Sequence, residues 1–148
     1  MAQLSLEMKY LTYYLPKTQL LKWIGNKQKF ATEITRFFPT SYHTYFELFL
    51  GSGSIMATFA PKNGHCSDAF KPLMEIWMKL KEAPKGLIDW YAERRTRVSE
   101  KNKIEIYEDI KAFEKRVQEW HARTKYIQFS IMDYQEAFDL AKEGDHLL

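Results

Sequence analysis

The run Tyr45-Phe46-Glu47-Leu48-Phe49-Leu50-Gly51-Ser52-Gly53 passes from an aromatic, apolar stretch into two glycines, and helical spacing follows at Ile55, Met56 and Phe59 until Pro61. The pattern predicts a strand over residues 43–50, a glycine turn and a helix. Glycines at such a turn let another molecule come close to the backbone, and the first helical N–H groups near Ser54 have no partner within the helix. The arrangement suits a nucleoside-bearing cofactor; an ordinary tight turn fits the same residues.

The flanking chain extends the alternation. A helix is expected over residues 27–38, with Phe30, Ile34 and Phe37 or Phe38 on one stripe and Pro39 closing it. A second strand is expected over residues 64–67, ending at Asp68, and a helix follows Pro72 with Leu73, Ile76, Trp77 and Leu80. Residues 87–97 and 104–120 read as helices, the second carrying Ile104, Tyr107, Ile110, Phe113, Val117 and Trp120 as one continuous apolar face. Residues 100–103 read as a surface loop, and 126–131 as a third strand. Residues 134–142 form the last predicted helix, with Ala137, Phe138 and Ala141 facing in and Gly144 ending it; residues 146–148 can only begin another strand. Alternating β and α argues for one α/β domain with a short parallel sheet flanked by helices.

Composition narrows the classes. With 148 residues, 45% hydrophobic and 16% aromatic, one domain can build a core, and a net charge of +3 falls short of a tail-driven nucleic-acid binder. Cys66 is the sole cysteine, which excludes an intrachain disulfide and fits a reducing, cytoplasmic location. Glu7 and Lys9 interrupt the apolar start, so neither a signal peptide nor a membrane span is expected. His43, His65, His121 and His146 show no metal-ligand spacing.

Two further segments bear on a cofactor. Asp68 closes the second strand, where an acidic side chain of a doubly wound fold can grip both hydroxyls of a ribose; capping the next helix is the competing role. Leu21-Lys22-Trp23-Ile24-Gly25-Asn26-Lys27 sets a large ring and cations around a glycine ahead of a helix. It can close over a cofactor, or Trp23 can be a core anchor with Lys22 and Lys27 as solvated charges.

Together these segments resemble the Dam-type class of adenine-N6 DNA methyltransferases. Residues 21–27 are similar to its amino-terminal cofactor motif, Phe46 to Gly53 to its Phe-x-Gly-Ser-Gly motif, and Ser67-Asp68 to the acidic end of its second strand. Phe129-Ser130-Ile131-Met132-Asp133-Tyr134, with Ala141-Lys142-Glu143-Gly144-Asp145, resembles the strand whose Asp-aromatic pair lies against the cofactor adenine. The resemblance implies a Rossmann-like fold and S-adenosylmethionine as cofactor. It implies binding by Trp23, Lys27, Glu47, Phe49, Gly51, Ser52, Gly53, Asp68, Asp133 and Tyr134, with Asp133 accepting from the adenine amino group. Without the resemblance, Asp133 reads as a helix cap and Tyr134 as core. Leu48 departs from the family's usual proline.

The family's Asp-Pro-Pro-Tyr tetrapeptide, which holds the target amino group, does not occur in these 148 residues. A target-recognition segment expected between Ala112 and Phe113 is also missing, and the basic residues there are interleaved with acidic ones. The expected protein is therefore a truncated relative that binds S-adenosylmethionine without transferring its methyl group alone. The alternatives are an enzyme that consumes the cofactor, of an anti-restriction type, and a protein-interaction module. DNA is a conceivable partner by resemblance only. A sheet ending at its third strand would expose the edge of residues 45–50, from which self-association or a complementing fragment is expected.

Overall fold

A computed structural model describes residues 19–98 and 102–148. Its elements run α1 (Ala31–Thr35), β1 (Tyr45–Glu47), α2 (Ser54–Phe59), β2 (Gly64–Asp68), α3 (Lys71–Glu82), α4 (Pro84–Val98), α5 (Lys103–Ala122), β3 (Ile127–Ile131), α6 (Tyr134–Leu140) and β4 (His146–Leu147). All strand pairs are parallel, in the order β3-β2-β1-β4. The fold is the expected Rossmann-like α/β arrangement. No helix among the described residues is long and apolar enough to cross a membrane.

Strand alternation sends successive side chains to opposite faces, and the two faces carry different cores. Tyr45 and Cys66 join Leu73, Trp77, Leu80, Phe113, Val117 and Trp120 beneath α3 and α5. Phe46 and Leu48 point the other way and meet Ala137 of α6. Trp77 is the hub of the larger core. Its ring is tilted against Trp120 at 5.6 Å between centroids and stacks on Phe129 at 6.2 Å.

Four expectations need correction. The first helix forms only over Ala31–Thr35 and has no side-chain cap; Phe30 and Phe37 are exposed, while Phe38 packs on Tyr45 and Phe59. Its β-branched and aromatic residues are weak helix formers, so the helix extends only where Ala31 is buried. The apolar face of α5 is not continuously buried: Phe113, Val117 and Trp120 are, but Ile104 and Tyr107 are exposed. α5 packs against α4 and α3, and Ile104 and Tyr107, in its first two turns, lie on the part of the helix left uncovered. Phe138, expected inward, is exposed, because Ala137 and Ala141 are the residues of this segment that pack toward Phe46 and Leu48.

The last correction concerns the sheet. The β1 edge is covered, since Tyr45 pairs with His146 and Phe46 with Leu147. Gly144, at φ +90°, turns the chain into β4, and the Asp145 carboxylate accepts from the backbone N–H of Thr44 at 2.9 Å. The case for self-association through a bare β1 edge loses its premise. The expectation for residues 1–10 lies outside the described residues, as do residues 100 and 101 of the expected loop at 100–103; Asn102 is the N-cap of α5 and Lys103 its first residue.

Glu47 is one of the polar residues in the interior, together with Ser52, Ser54, Ser67, Arg123 and Thr124. It is buried, with the Tyr45 hydroxyl donating to its Oε2 at 2.7 Å. Loss of hydration raises its pKa to about 8 from an ordinary 4.5, more than the donors Tyr45 and Met56 N–H lower it.

Two outcomes are expected. Gly53 adopts φ +65°, and a Cβ there would lie 2.9 Å from the Trp77 ring, whereas a Cβ on Gly25 at φ +77° would meet nothing within 4 Å. Urea denaturation should therefore show Gly53→Ala destabilised by roughly 2–5 kcal/mol, against about 1–2 kcal/mol for Gly25→Ala, where only backbone strain acts. Equal losses would refute the packing role of Trp77. Because folded Glu47 holds its proton up to about 8 while the unfolded side chain releases it near 4.5, its contribution is full below the lower value and is lost as pH rises through the upper one. Stability should fall by up to about 1.4 kcal/mol per pH unit in that window, and Glu47→Gln should remove that part of the slope.

Candidate functional site

The chain turns sharply after β1 because Gly51 and Gly53 both take left-handed backbone, at φ +49° and +65°. Gly53 is the N-cap of α2. The turn is held on both sides. From the core, Trp77 Nε1–H donates to the Gly51 carbonyl at 3.0 Å; from β2, Asp68 Oδ2 accepts from the Gly51 N–H at 3.1 Å. Asp68 Oδ1 also accepts from Phe70 N–H at 3.0 Å, the N-cap residue of α3. Asp68 thus ties the end of β2 to the glycine turn instead of capping the first turn of α3. Each carboxylate oxygen has lone-pair capacity left for another donor.

Beside this turn lies a cavity of about 560 Å³, lined by Trp23, Lys27, Glu47, Phe49, Ser52 and Asp68 together with Gly51 and neighbouring backbone. That volume lies within the range of small-molecule sites. The cavity opens where β1 and β2 end, the side on which open parallel sheets receive ligands.

Seven of the ten sequence-predicted site residues line this space: Trp23, Lys27, Glu47, Phe49, Gly51, Ser52 and Asp68. Gly53, Asp133 and Tyr134 do not. Gly53 lies beneath the turn against Trp77. Asp133 caps α6, its Oδ1 accepting from Gln135 N–H at 2.8 Å and Glu136 N–H at 3.0 Å, with Glu136 reciprocating in a capping box. Tyr134 adjoins the site indirectly, stacked on Phe49 with centroids 5.6 Å apart. Both rings are largely exposed, so the core role considered for Tyr134 does not hold. Trp23 is no core anchor either: it is 39% exposed, lies 5.7 Å from the Phe70 ring, and its Cδ1 would be 3.3 Å from a Cβ on Gly51.

Sequence reasoning passed over several contributors. Ser54 lines the cavity and shares a 2.7 Å hydrogen bond with Ser52, and its hydroxyl donates to Asn26 Oδ1 at 2.8 Å. Asn26 Oδ1 also accepts from Gln28 N–H at 2.7 Å, while its buried Nδ2 has no hydrogen-bond partner among the described residues. This chain of polar groups fastens the lead-in loop to the start of α2. Asn26 stands within the quoted motif, but its 28-residue separation from Ser54 left no local signal. Leu148 lines the cavity through the pairing that continues past β4, where its N–H donates to the Phe46 carbonyl at 2.8 Å.

Known proteins show the same segments. The chain is 29% identical over 91 residues to Type II methyltransferase M1.LlaDCHI of Lactococcus lactis subsp. cremoris. That match takes in 62% of this chain and 31% of the relative, so the similarity spans about a third of that protein's length. A family model described as D12 class N6 adenine-specific DNA methyltransferase matches residues 23–144, taking in the lead-in loop, the glycine turn, Asp68 and the Asp133-Tyr134 pair. With most of its length matched, this chain belongs to the D12 class of N6 adenine-specific DNA methyltransferases.

Proposed function

We propose that this chain forms the S-adenosylmethionine-binding part of a DNA adenine-N6 methyltransferase. The observation that carries this reading is the convergence of Glu47, Gly51, Ser52, Asp68 and Trp23 on one cavity at the ends of two parallel strands. The residues fit the cofactor's chemistry. Asp68 has acceptor capacity for ribose hydroxyls, Phe49 and Tyr134 offer a stacked aromatic surface for a purine, and Glu47 is an acid for a cationic group.

When bound, the cofactor supplies an electrophilic methyl group. The chain's own residues bind and orient it. Trp23 and Phe70 shield the glycine turn from one side, while Asp68 keeps the turn at fixed distance from β2. In this reading Asp133 acts through its capping box, setting where Tyr134 begins α6 and so the slant of the ring on Phe49.

Acceptor chemistry is a separate matter. No Asp-Pro-Pro-Tyr occurs in the 148 residues, and methyl transfer to a DNA adenine is not expected from them alone. A polypeptide or segment carrying that tetrapeptide would supply the acceptor half, with DNA as the substrate. The mixed charge of α5 gives no favoured phosphate track of its own.

Calorimetric titration tests the reading: S-adenosylmethionine should bind with one site per chain, and absence of binding heat at several temperatures would overturn it. Asp68→Asn keeps one acceptor oxygen but replaces the other by a donor, so affinity should fall by roughly 1–3 kcal/mol. Unchanged affinity in a variant whose unfolding midpoint is also unchanged would remove Asp68 from the site.

A further inference from the structure

Glu47 presents a contradiction that a ligand can resolve. Its carboxyl lies in the cavity wall, 5% exposed, with the Tyr45 hydroxyl and the Met56 backbone N–H directed at it. Two donors on one carboxyl are an arrangement for an anion. Burial nevertheless outweighs them and pushes the carboxyl up to about 8, which favours the neutral acid below that value. Among the described residues, no positive charge is set against it.

The groups around Glu47 do not provide one. Tyr45 shares its strand, and Cys66, its register partner on β2, is a buried thiol whose own pKa is raised by burial. Asp68, on the same cavity, is acidic. Lys27 also lines the cavity but is exposed, and the influences on the Glu47 carboxyl are burial, Tyr45 and Met56 alone.

We infer that Glu47 is a proton-releasing counter-ion: a cationic group of the cofactor, entering the cavity, converts the buried acid to a carboxylate and expels its proton to solvent. The inference rests on the cofactor reading above and adds a linkage to it. The step balances, since the carboxyl O–H bond breaks, the electron pair stays on oxygen, and the proton leaves to buffer while the ligand's charge takes its place. S-adenosylmethionine carries two such charges, an ammonium and a sulfonium; its demethylated sulfide product keeps only the ammonium. Should the sulfonium be the partner, the site prefers the methyl donor over the spent product through this one residue.

Calorimetry of the whole chain at pH 6.5, in buffers of differing ionisation heat, reads the proton directly. Binding of S-adenosylmethionine should release about 0.5–1 proton per chain. Release with the sulfide product as well assigns the ammonium; release with the methyl donor alone assigns the sulfonium. Across pH 6 to 7.5 the wild-type Kd should tighten by up to about tenfold per unit, whereas Glu47→Gln, which mimics the neutral acid, should lack this dependence. The two proteins should converge in affinity at pH 6 and diverge by at least about tenfold at pH 8.5. A purely structural role would shift the variant equally at every pH. Binding without proton exchange overturns the inference and leaves the cofactor reading intact; no binding at all overturns both. The wild-type buffer series decides the matter even if the variant does not fold.

Discussion

The Trp77 indole joins the interior of the protein to the rim of its cavity. One end of the ring system packs on Trp120 and Phe129 in the core; its N–H reaches the Gly51 carbonyl, and its six-membered ring leaves no room for a side chain on Gly53. The glycine turn therefore takes its shape from the core and not only from its own dihedral preferences. Asp68 holds the same turn from the other side through the Gly51 N–H. Between an indole donor and a carboxylate acceptor, one residue, Gly51, is fixed through both its carbonyl and its N–H, which presets the cavity wall before any ligand arrives.

The rest of the site is hung on this fixed turn. Trp23 leans on Gly51, and Asn26 is bound through Ser54 to Ser52, so the lead-in loop is registered on α2 by one aromatic and one polar contact. On the far side, Phe49 carries the Tyr134 ring and connects the turn to the beginning of α6. The segments conform to a single design although they lie far apart in sequence. Glu47 is the element in tension, placed between donors suited to its anion and a dry environment that favours its acid.

Much of this was legible in the residues. The glycine turn, the acidic end of β2 and the alternation of strand and helix follow from local spacing, and all appear within a few residues of their expected bounds. What local spacing cannot carry is competition between segments. The aromatic stripe at Phe30, Ile34 and Phe37 has helical period, but Phe30 and Phe37 are exposed while Phe38 packs on Phe59, and the helix closes early. Ile104 and Tyr107 continue the stripe of α5 into its exposed first turns. Asp133 has a sequence consistent with capping and with ligand binding; the capping box accounts for its hydrogen bonds, while its reach toward a ligand is no part of the local pattern. Glu47 could be placed at the turn from sequence, but its protonation depends on burial set by α2 and β2.

The strand pairings are unequal in length. β2 and β3 match over five residue pairs, β1 and β2 over three, and β1 and β4 over two. Backbone protection from solvent exchange should be greater where β2 meets β3 than where β1 meets β2, because more ladder bonds must break together there. With so short a ladder behind it, the end of β1 relies on the bonds that Trp77 and Asp68 make to Gly51 for its position at the cavity rim.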